Sequence, residues 1–478
     1  MTIDALYSHP SGQVWRFFDQ MCQVPHPSKH EERIRQWLLD LGTEHEWETY
    51  TDAIGNVYFR FPGQGELAEH PPLVLQAHMD MVCEKNADTE HDFMTDPIRP
   101  RIIDDWVLAT GTTLGADNGI GVCMALAVAC EELPDRMPLE ILITVDEETG
   151  LNGALELDPS LVKGKHVLNL DSEEDWLFCI GCAGGVNLTS AFPHASNHFS
   201  PKGPFWSIWL TGCRGGHSGV QINEGRTNAI VALAGFLQQL RSKAPDLTLH
   251  SWQGGNKRNA IPRETQVVIS GVSQDLLESI IDDYREMLQG NEPDAEITCE
   301  AVSDQPQTTL PFALLDFVSE VPQGVIGMSA DFPDLVQTSS NVSIIETHDT
   351  GVTVFMLGRS SVNADKEEMV AHVRDLTMNN NGIFSRSGDY PGWAPTPNSL
   401  LLKHGEGIYE ELFGEKAEVV AIHAGLEAGI IGDKLETDQL LAYGPTILNP
   451  HSPDEKVNIA SVDKAWSFMK AFVSRPFA

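Results

Sequence analysis

A histidine and an aspartate two positions apart end the apolar run PPLVLQAHMDMV at residues 71–82. Side chains at i and i+2 of a strand share one face, so His78 and Asp80 emerge together at the end of a predicted strand. An imidazole there can bind a metal ion while the nearby carboxylate holds its other ring nitrogen. His-x-Asp also occurs by chance, so the residues further along the chain decide the interpretation.

More acids and a second histidine follow other apolar or glycine-rich segments. They are Asp117 in TLGADNGIGV, Glu147 and Glu148 in ITVDEETG, Asp171 in LNLDSEED, and His451 in LNPHSPDE. The strand ends of an open α/β sheet form the crevice where ligands bind. Each residue taken singly is more often structural, but together they form a set of nitrogen and oxygen ligands that suits zinc. We therefore expect the two histidines, Asp117, Glu148 and Asp171 to bind metal.

The charges of this set fit two divalent ions. The three carboxylates and a bridging hydroxide balance the four positive charges of two such ions, whereas uncompensated buried charge is costly. Asp117 can bridge the ions, with His78 and Asp171, or His451 and Glu148, completing each side. The sequence does not show which ligand serves which ion. We expect two Zn²⁺ per chain, with Co²⁺ or Mn²⁺ as substitutes.

The adjacent glutamates need different roles. Neighbours on a strand point to opposite faces, but Glu147 and Glu148 stand at a predicted strand end, where a turn can direct both to the site. With Glu148 as the ligand, Glu147 becomes the base that takes a proton from water and passes it to a leaving amine. Metal ions can lower the pKa of bound water to about 7, so a carboxylate is an adequate base.

The composition excludes several other functions. The chain of 478 residues carries 31 Lys and Arg against 69 Asp and Glu, a formal net charge of −38. Such a surface repels nucleic acid and anionic membranes. There is no apolar run long enough for a membrane span and no signal-peptide pattern at the start, so we expect a cytoplasmic protein. Eight cysteines in a chain of this length are too few for a disulfide scaffold.

The order of predicted elements indicates two domains, one inserted into the other. Residues 1–185 alternate helices (13–22, 31–41, 118–132) with strands (57–61, 73–79, 139–145, 167–170), as in an α/β sheet. Residues 186–388 change to strands interleaved with helices, and residues 389–478 resume the first pattern. Asp171 and His451 flank the insertion. We therefore expect an α/β catalytic domain with a mixed central sheet, interrupted by an α+β domain.

Ten segments spread over nearly the whole chain carry a family resemblance. They are VPHPSKHEE, LQAHMDMVCEKN, HDFMTDPIRP, GTTLGADNGIGV, GCAGG, RGGHSG, RNAIPRE, YPGW, IHAGLEAG and GPTILNPHSPDE. Together they resemble the di-zinc peptidases that include aminoacylases, glutamate carboxypeptidases and carnosine-type dipeptidases. The resemblance implies that the inserted domain is a lid, that Asp117 bridges two zinc ions, and that the peptide bond after Asp117 is cis.

The resemblance also implies roles for residues of the lid and of the last segment. His217 matches a histidine that stabilises the tetrahedral oxyanion, and Asn259 and Arg359 match positions that hold the terminal carboxylate of the substrate. Glu427 lies near the site by motif position, and we expect it to contact the substrate amine. A homodimer formed through the lid domain is a further expectation.

The implied activity is the hydrolysis of dipeptides, with a preference for a C-terminal histidine. Two alternatives stay open: an acyl-amino-acid deacylase with the same chemistry, and a catalytically silent scaffold that keeps the fold. The presence of Glu147 argues against the scaffold, because a degenerate protein would be free to lose its base. Hydrolysis of β-Ala-His compared with N-acetyl amino acids separates the two enzymes.

Overall fold

The computed structural model describes residues 1–195, 203–303, 306 and 308–477. The chain forms two compact units. The first comprises Met1–Cys182, Trp393–Ala421 and Leu426–Ala478, and the second comprises Ala183–Gly392 and Ile422–Gly425. The breaks expected from the sequence, at 185/186 and 388/389, lie close to these. Residues 422–425, expected in the first domain, instead belong to the second unit.

The first segment of the chain supplies most of the first unit. Its strands are β1 (Glu48–Thr51), β2 (Val57–Phe61), β3 (Leu73–His78), β4 (Arg101–Ile103), β5 (Trp106–Leu108), β6 (Leu139–Thr144), β7 (His166–Asn169) and β8 (Leu177–Cys182). Its α-helices are α1 (Gly12–Cys22), α2 (Glu32–Glu44), α3 (Ala116–Cys130) and α4 (Asn152–Leu155).

The middle of the chain builds the second unit. Its strands are β9 (Gly184–Pro193), β10 (Phe205–Thr211), β11 (Gly216–His217), β12 (Thr248–Gly254), β13 (Ala260–Ile261), β14 (Thr265–Ser270), β15 (Glu296–Val302), β16 (Gly324–Met328), β17 (Val336–His348), β18 (Gly351–Ser360) and β19 (Ile383–Tyr390). Its helices are α5 (Ala229–Lys243), α6 (Gln274–Gln289), α7 (Phe312–Glu320) and α8 (Asn363–Asn379).

The last segment lies in the first unit, except for Ile422–Gly425. Its helices are α9 (Leu400–Phe413), α10 (Glu427–Leu435) and α11 (Ile459–Val473), and its strands are β20 (Glu418–Ile422), β21 (Leu440–Ala442), β22 (Ile447–Leu448) and β23 (Lys456–Asn458). Among the described residues, no helix combines the length and the apolar character needed to cross a membrane.

A mixed eight-stranded sheet forms the centre of the first unit, in the order β1-β2-β6-β3-β7-β21-β8-β20. The strands β6, β3, β7 and β21 run parallel to one another. Every residue of β3 and β6 is buried, as expected for central parallel strands covered on both faces. The carboxyl ends of β3, β6 and β7 therefore meet at one edge. This sheet confirms the mixed α/β architecture.

The second unit is built around an antiparallel sheet in the order β15-β10-β14-β12-β17-β18-β9-β19, with β16 paired to β17. Helices α5 to α8 contribute apolar side chains to its core, where Leu233, Phe236, Leu277, Phe317 and Val373 are buried. The side chain of Asn228 caps α5 by accepting from the N–H groups of Ile230 and Val231, a role for which asparagine is well suited.

Candidate metal centre

The first unit gathers seven of the predicted site residues at the carboxyl edge of its parallel strands. His78 is the last residue of β3, Glu147 and Glu148 follow β6, and Asp171 follows β7. Asp117 lies in the first turn of α3, and Asp80 lies two residues beyond β3. His451 lies in the loop between β22 and β23. Residues far apart in the sequence thus meet because their strands are neighbours.

Asp117 lies between the two histidines. Its Oδ1 is 3.3 Å from Nε2 of His78, and its Oδ2 is 3.2 Å from Nε2 of His451. Asp171 Oδ1 is 3.4 Å from the same nitrogen of His78, and Glu148 Oε2 is 3.0 Å from that of His451. Two nitrogen–oxygen clusters thus share one carboxylate. The Asp117–Asn118 peptide bond is cis, as the resemblance implied.

The other ring nitrogen of His78 faces Asp80. Nδ1 of His78 is 3.1 Å from the backbone oxygen of Asp80 and 3.5 Å from its carboxylate Oδ1. Both side chains are almost fully buried. A hydrogen bond from Nδ1–H to Asp80 fixes the tautomer that leaves Nε2 free to act as a ligand.

The same Asp80 carboxylate holds the turn that carries the paired glutamates. Its Oδ1 accepts the backbone N–H of Glu147 at 3.0 Å, and its Oδ2 accepts that of Glu148 at 3.3 Å. One residue earlier, the N–H of Asp146 donates to Oε1 of Glu31 at 3.1 Å. Three successive N–H groups are therefore bound by carboxylates. Sequence reasoning missed Glu31, because a contact with backbone N–H leaves no motif.

These surroundings perturb the pKa values of the cluster. Burial alone would lower the pKa of His78, whereas the charge of Asp171 raises it. The neighbouring carboxylates outweigh burial, so the pKa of His78 lies well above its ordinary value. Burial alone would raise the pKa of Asp117, but the hydrogen bonds to His451 and His78 outweigh it and lower that pKa. Burial raises the pKa of Asp171 to about 6 and that of Glu147 well above its usual range.

A buried carboxylate that sequence reasoning did not single out supports Asp117. Glu455, four residues after His451, accepts the backbone N–H groups of residues 114–117. Burial and the charge of Asp117 raise the pKa of Glu455 to about 7, while the amide donors act in the opposite direction. The sequence offered one signal for Glu455: its position in HSPDE, four residues after the predicted ligand His451.

Glu427 is a buried carboxylate close to the cluster. It is fully buried in the first turn of α10. Its Oε2 accepts from Nε2 of Gln76 and from the hydroxyl of Thr144, each at 2.6 Å. Burial raises its pKa to about 7. Its Oε1 has no hydrogen-bond partner among the described residues. The expected contact with a substrate amine stays a prediction.

The second unit holds the other three predicted residues. His217 in β11 pairs with Ala260 in β13, which brings Asn259 beside it. The backbone oxygen of Asn259 accepts the N–H of Ser218 at 2.9 Å, while its side chain is exposed. Arg359 lies at the end of β18 and is 5% exposed. Its Nη1 lies 3.5 Å from the hydroxyl of Tyr390, and its Nε has no hydrogen-bond partner among the described residues.

The hydrogen bonds of His217 fix its tautomer. Its Nδ1 accepts the N–H groups of Gly219 and Val220, each at 3.2 Å. Burial and the positive charge of Arg359 lower its pKa. His217 is therefore a neutral imidazole whose proton lies on Nε2, where it can be donated.

The positions of the ligand atoms fit a bound metal ion. Ligand atoms lie within 4.8 Å of one another in the groups His78–Asp117–Asp171 and Asp117–Glu148–His451. Oε1 of Glu148 is buried without a hydrogen-bond partner among the described residues. An unpaired carboxylate oxygen is costly to bury unless a cation reaches it. The first unit therefore has the residues and the geometry of a metal-binding site.

Comparisons with known proteins identify the family of the chain. Residues 74–475 match peptidase family M20/M25/M40. The chain is 36% identical over 466 residues to the cytosol non-specific dipeptidase of Escherichia coli (strain K12), covering 95% of this chain and 96% of that protein. The chain belongs to peptidase family M20/M25/M40, which confirms the resemblance, and it is a metal-binding enzyme that hydrolyses peptide bonds.

Solved structures share the fold. The aminoacylhistidine dipeptidase from Vibrio alginolyticus superimposes with a TM-score of 0.90 at 37% identity, covering 99% of this chain and 98% of that one. The aminopeptidase PepT from Bacillus cereus gives a TM-score of 0.57 at 16% identity, covering 97% and 98% of the two chains. The second comparison supports the fold alone.

Proposed function

We propose that the protein is a di-zinc dipeptidase that prefers substrates with a C-terminal histidine. The observation that carries the proposal is the placement of one Asp117 oxygen against His78 and the other against His451. A carboxylate that meets two separate imidazoles is arranged to bridge two cations. The names of the Escherichia coli and Vibrio alginolyticus relatives support the substrate class.

The number and kind of ions follow from charge and ligand chemistry. Asp117, Glu148 and Asp171 carry three negative charges, which exceed what one divalent ion neutralises. Two ions and one further anion balance them. The histidine nitrogens favour zinc, with cobalt and manganese as substitutes. Bound ions of this kind polarise a carbonyl oxygen and lower the pKa of water.

In this proposal Glu147 transfers the proton. Glu147 has its backbone N–H fixed by Asp80, and its carboxylate has an oxygen within 4.8 Å of ligand atoms of His78 and Glu148. It takes a proton from the attacking water and delivers it to the departing amine. Its raised pKa makes this carboxylate a stronger base toward the attacking water.

The second unit supplies hydrogen-bond donors in the proposal. His217 presents Nε2–H, which suits an oxyanion. Arg359 is a buried cation whose Nε has no partner within the part of the chain that the structure describes, which suits the terminal carboxylate of a substrate. Asn259 adds an exposed amide close to His217. The choice of histidine as the C-terminal residue rests on the relatives and not on a contact in this chain.

Metal analysis combined with a substrate panel tests the proposal. Chelated protein is reconstituted with Zn²⁺, Co²⁺ or Mn²⁺, and hydrolysis of β-Ala-His, Ala-His, Ala-Ala and N-acetyl amino acids is measured. We expect two ions per chain and the highest kcat/KM with the histidine dipeptides. Turnover of acetyl substrates alone would establish a deacylase. No hydrolysis by wild type, equal to that of Glu147→Ala, would establish a scaffold.

Two finer properties belong to the same proposal. A cytoplasmic location follows from the name of the Escherichia coli relative. A homodimer through the second unit is supported by β16, which has β17 as its partner among the described strands and exposes Val325, Ile326 and Met328. Sedimentation of wild type and of Ile326→Lys tests it: we expect a dimer that becomes monomeric, and a monomeric wild type would contradict it.

A further inference from the structure

The segment that enters α3 directs four successive backbone N–H groups at one carboxylate. Oε2 of Glu455 accepts from Leu114 at 2.6 Å and from Gly115 at 3.0 Å. Its Oε1 accepts from Ala116 at 2.7 Å and from Asp117 at 3.2 Å. Glu455 is 2% exposed. Both oxygens are fully used, and the last of the four donors belongs to the bridging aspartate itself.

The backbone of this segment is shaped for the contact. Gly115 has φ 72, a left-handed conformation that glycine adopts without penalty. A Cβ at this position would lie 3.0 Å from Sδ of Met81. A concave run of N–H groups of this kind binds anions, and here the anion is a side chain of the same protein.

Glu455 is also part of the loop that carries His451. Its own N–H donates to the oxygen of Ser452 at 3.0 Å, and the Ser452 hydroxyl donates to the oxygen of Asn449 at 2.9 Å. These bonds make residues 449–455 one turn-rich segment. Directly after it, β23 pairs with β5, which fixes the end of the loop to the sheet β22-β23-β5-β4.

Glu455 and His451 therefore reach the same aspartate from one loop. Glu455 binds the backbone N–H of Asp117, and His451 Nε2 lies 3.2 Å from its side-chain Oδ2. Glu455 thus connects the backbone of Asp117 to the loop that carries His451. A displacement of Glu455 would move Asp117 and His451, two of the three ligands of the His451 cluster, at once.

We infer that Glu455 is a positioning residue that locks the Asp117 segment to the His451 loop and thereby sets the affinity of the metal site formed by Asp117, Glu148 and His451. The inference rests on the proposed di-metal centre. This role differs from simple capping of α3. Loss of a cap would change the stability of the helix but would not change how much more tightly one ion binds than the other.

The test compares Glu455→Gln with Asp454→Asn. The first variant keeps the size of the side chain but turns an NH₂ group toward two backbone N–H groups. The second removes the same charge from the exposed neighbouring residue. Zinc affinity is measured by competition with a chromophoric chelator, without any substrate. Loss of a residue that orients ligands typically costs about 10- to 100-fold in metal affinity.

We expect Glu455→Gln to lower the zinc affinity of one site by this factor and that of the other site by less. Asp454→Asn should bind zinc with the affinities of wild type. Equal affinities for both ions in Glu455→Gln and wild type would overturn the inference. If Glu455→Gln does not fold, Glu455→Asp, which keeps both oxygens on a shorter side chain, decides by the same comparison. A wild type that binds fewer than two ions contradicts the di-metal centre itself. Two ions in wild type with an unaffected variant contradict the role of Glu455 alone.

Discussion

The carboxylate of Asp80 accepts the backbone N–H of Glu147 at 3.0 Å. Burial alone would raise the pKa of Asp80, but its contacts with His78 and with this N–H lower it. Asp80 is thus a stable anion that connects a predicted ligand to the predicted base. An aspartate expected to orient one histidine also fixes the turn after β6.

Replacement of Asp80 by asparagine tests this double connection. The amide keeps the shape but loses the charge, and its NH₂ group faces either the ring of His78 or a backbone N–H. We expect kcat to fall about 10- to 100-fold, with weaker zinc binding, as is typical for residues that hold metal ligands. Steady-state kinetics at saturating zinc and a chelator competition measure the two effects. Unchanged kcat at full zinc occupancy would contradict the connection.

Glu147→Gln separates the base from the ligands. The amide cannot accept a proton from water, and removal of a positioned base typically costs about 10²- to 10⁴-fold in rate. We expect that loss in kcat, with KM and zinc content close to wild type, measured by kinetics and metal analysis on one sample. A variant that loses zinc as well would assign Glu147 to the ligands instead.

Glu31 provides a matched pair of variants. Its Oε1 accepts two N–H groups, from Lys29 at 2.7 Å and from Asp146 at 3.1 Å. Glu31→Gln keeps that acceptor, whereas Glu31→Ala removes it from both N–H groups. We expect near wild-type activity for glutamine and a loss in kcat of up to about 10²-fold for alanine, because the Glu147 turn is displaced.

The two Glu31 variants are compared by their kcat and KM values and by thermal unfolding. A loss confined to kcat in the alanine variant indicates a displaced turn, and equal losses in both variants would show that the charge matters. Alanine with wild-type kcat but lower thermal stability would make Glu31 a purely structural residue.

His423 predicts a pH dependence of stability for the second unit. Burial and the charge of Arg359 lower its pKa to about 3, and its Nε2 lies 2.7 Å from the hydroxyl of Ser339. In the unfolded chain the imidazole titrates near its ordinary value of about 6.5. Between these values the unfolded state binds one more proton, so stability is complete above about pH 6.5 and falls with decreasing pH, by about 1.4 kcal/mol per unit.

Urea unfolding of the metal-free protein at pH 7 and pH 5 measures this dependence. We expect His423→Gln to lose less stability than wild type between the two values. The control is His348→Gln, since that side chain is 47% exposed. Equal losses in wild type and His423→Gln would show that His423 does not control the acid sensitivity.

The central strands could be predicted from the sequence because burial on both faces leaves continuous apolar runs. Residues 57–61 form β2 as expected, and β3 and β6 each end one residue before the expected limit. Since the predicted ligands follow these strands, their assembly at one edge was also predictable. The pairing of each Asp117 carboxylate oxygen with a particular histidine nitrogen could not be predicted, because it depends on side-chain directions.

Glu31 and Glu455 were missed for a different reason. Their partners are backbone N–H groups, which every residue except proline has, so the pairing has no signature in residue types. For Glu427 the motif position indicated a substrate contact, which stays a prediction. Its burial, and the bonds of its Oε2 to Gln76 and Thr144 on neighbouring strands, could not be predicted because they depend on side-chain directions.

The strand order has a consequence for synthesis on the ribosome. Strand β21 lies between β7 and β8 in the middle of the first sheet, although it is encoded after the whole second unit. The nascent chain therefore carries β7 with an open edge while more than half of the protein is being translated, and open edges invite association with other chains. We expect ribosome-bound chains truncated before Leu440 to be retained by chaperones, and chains extended past Ala442 to be released.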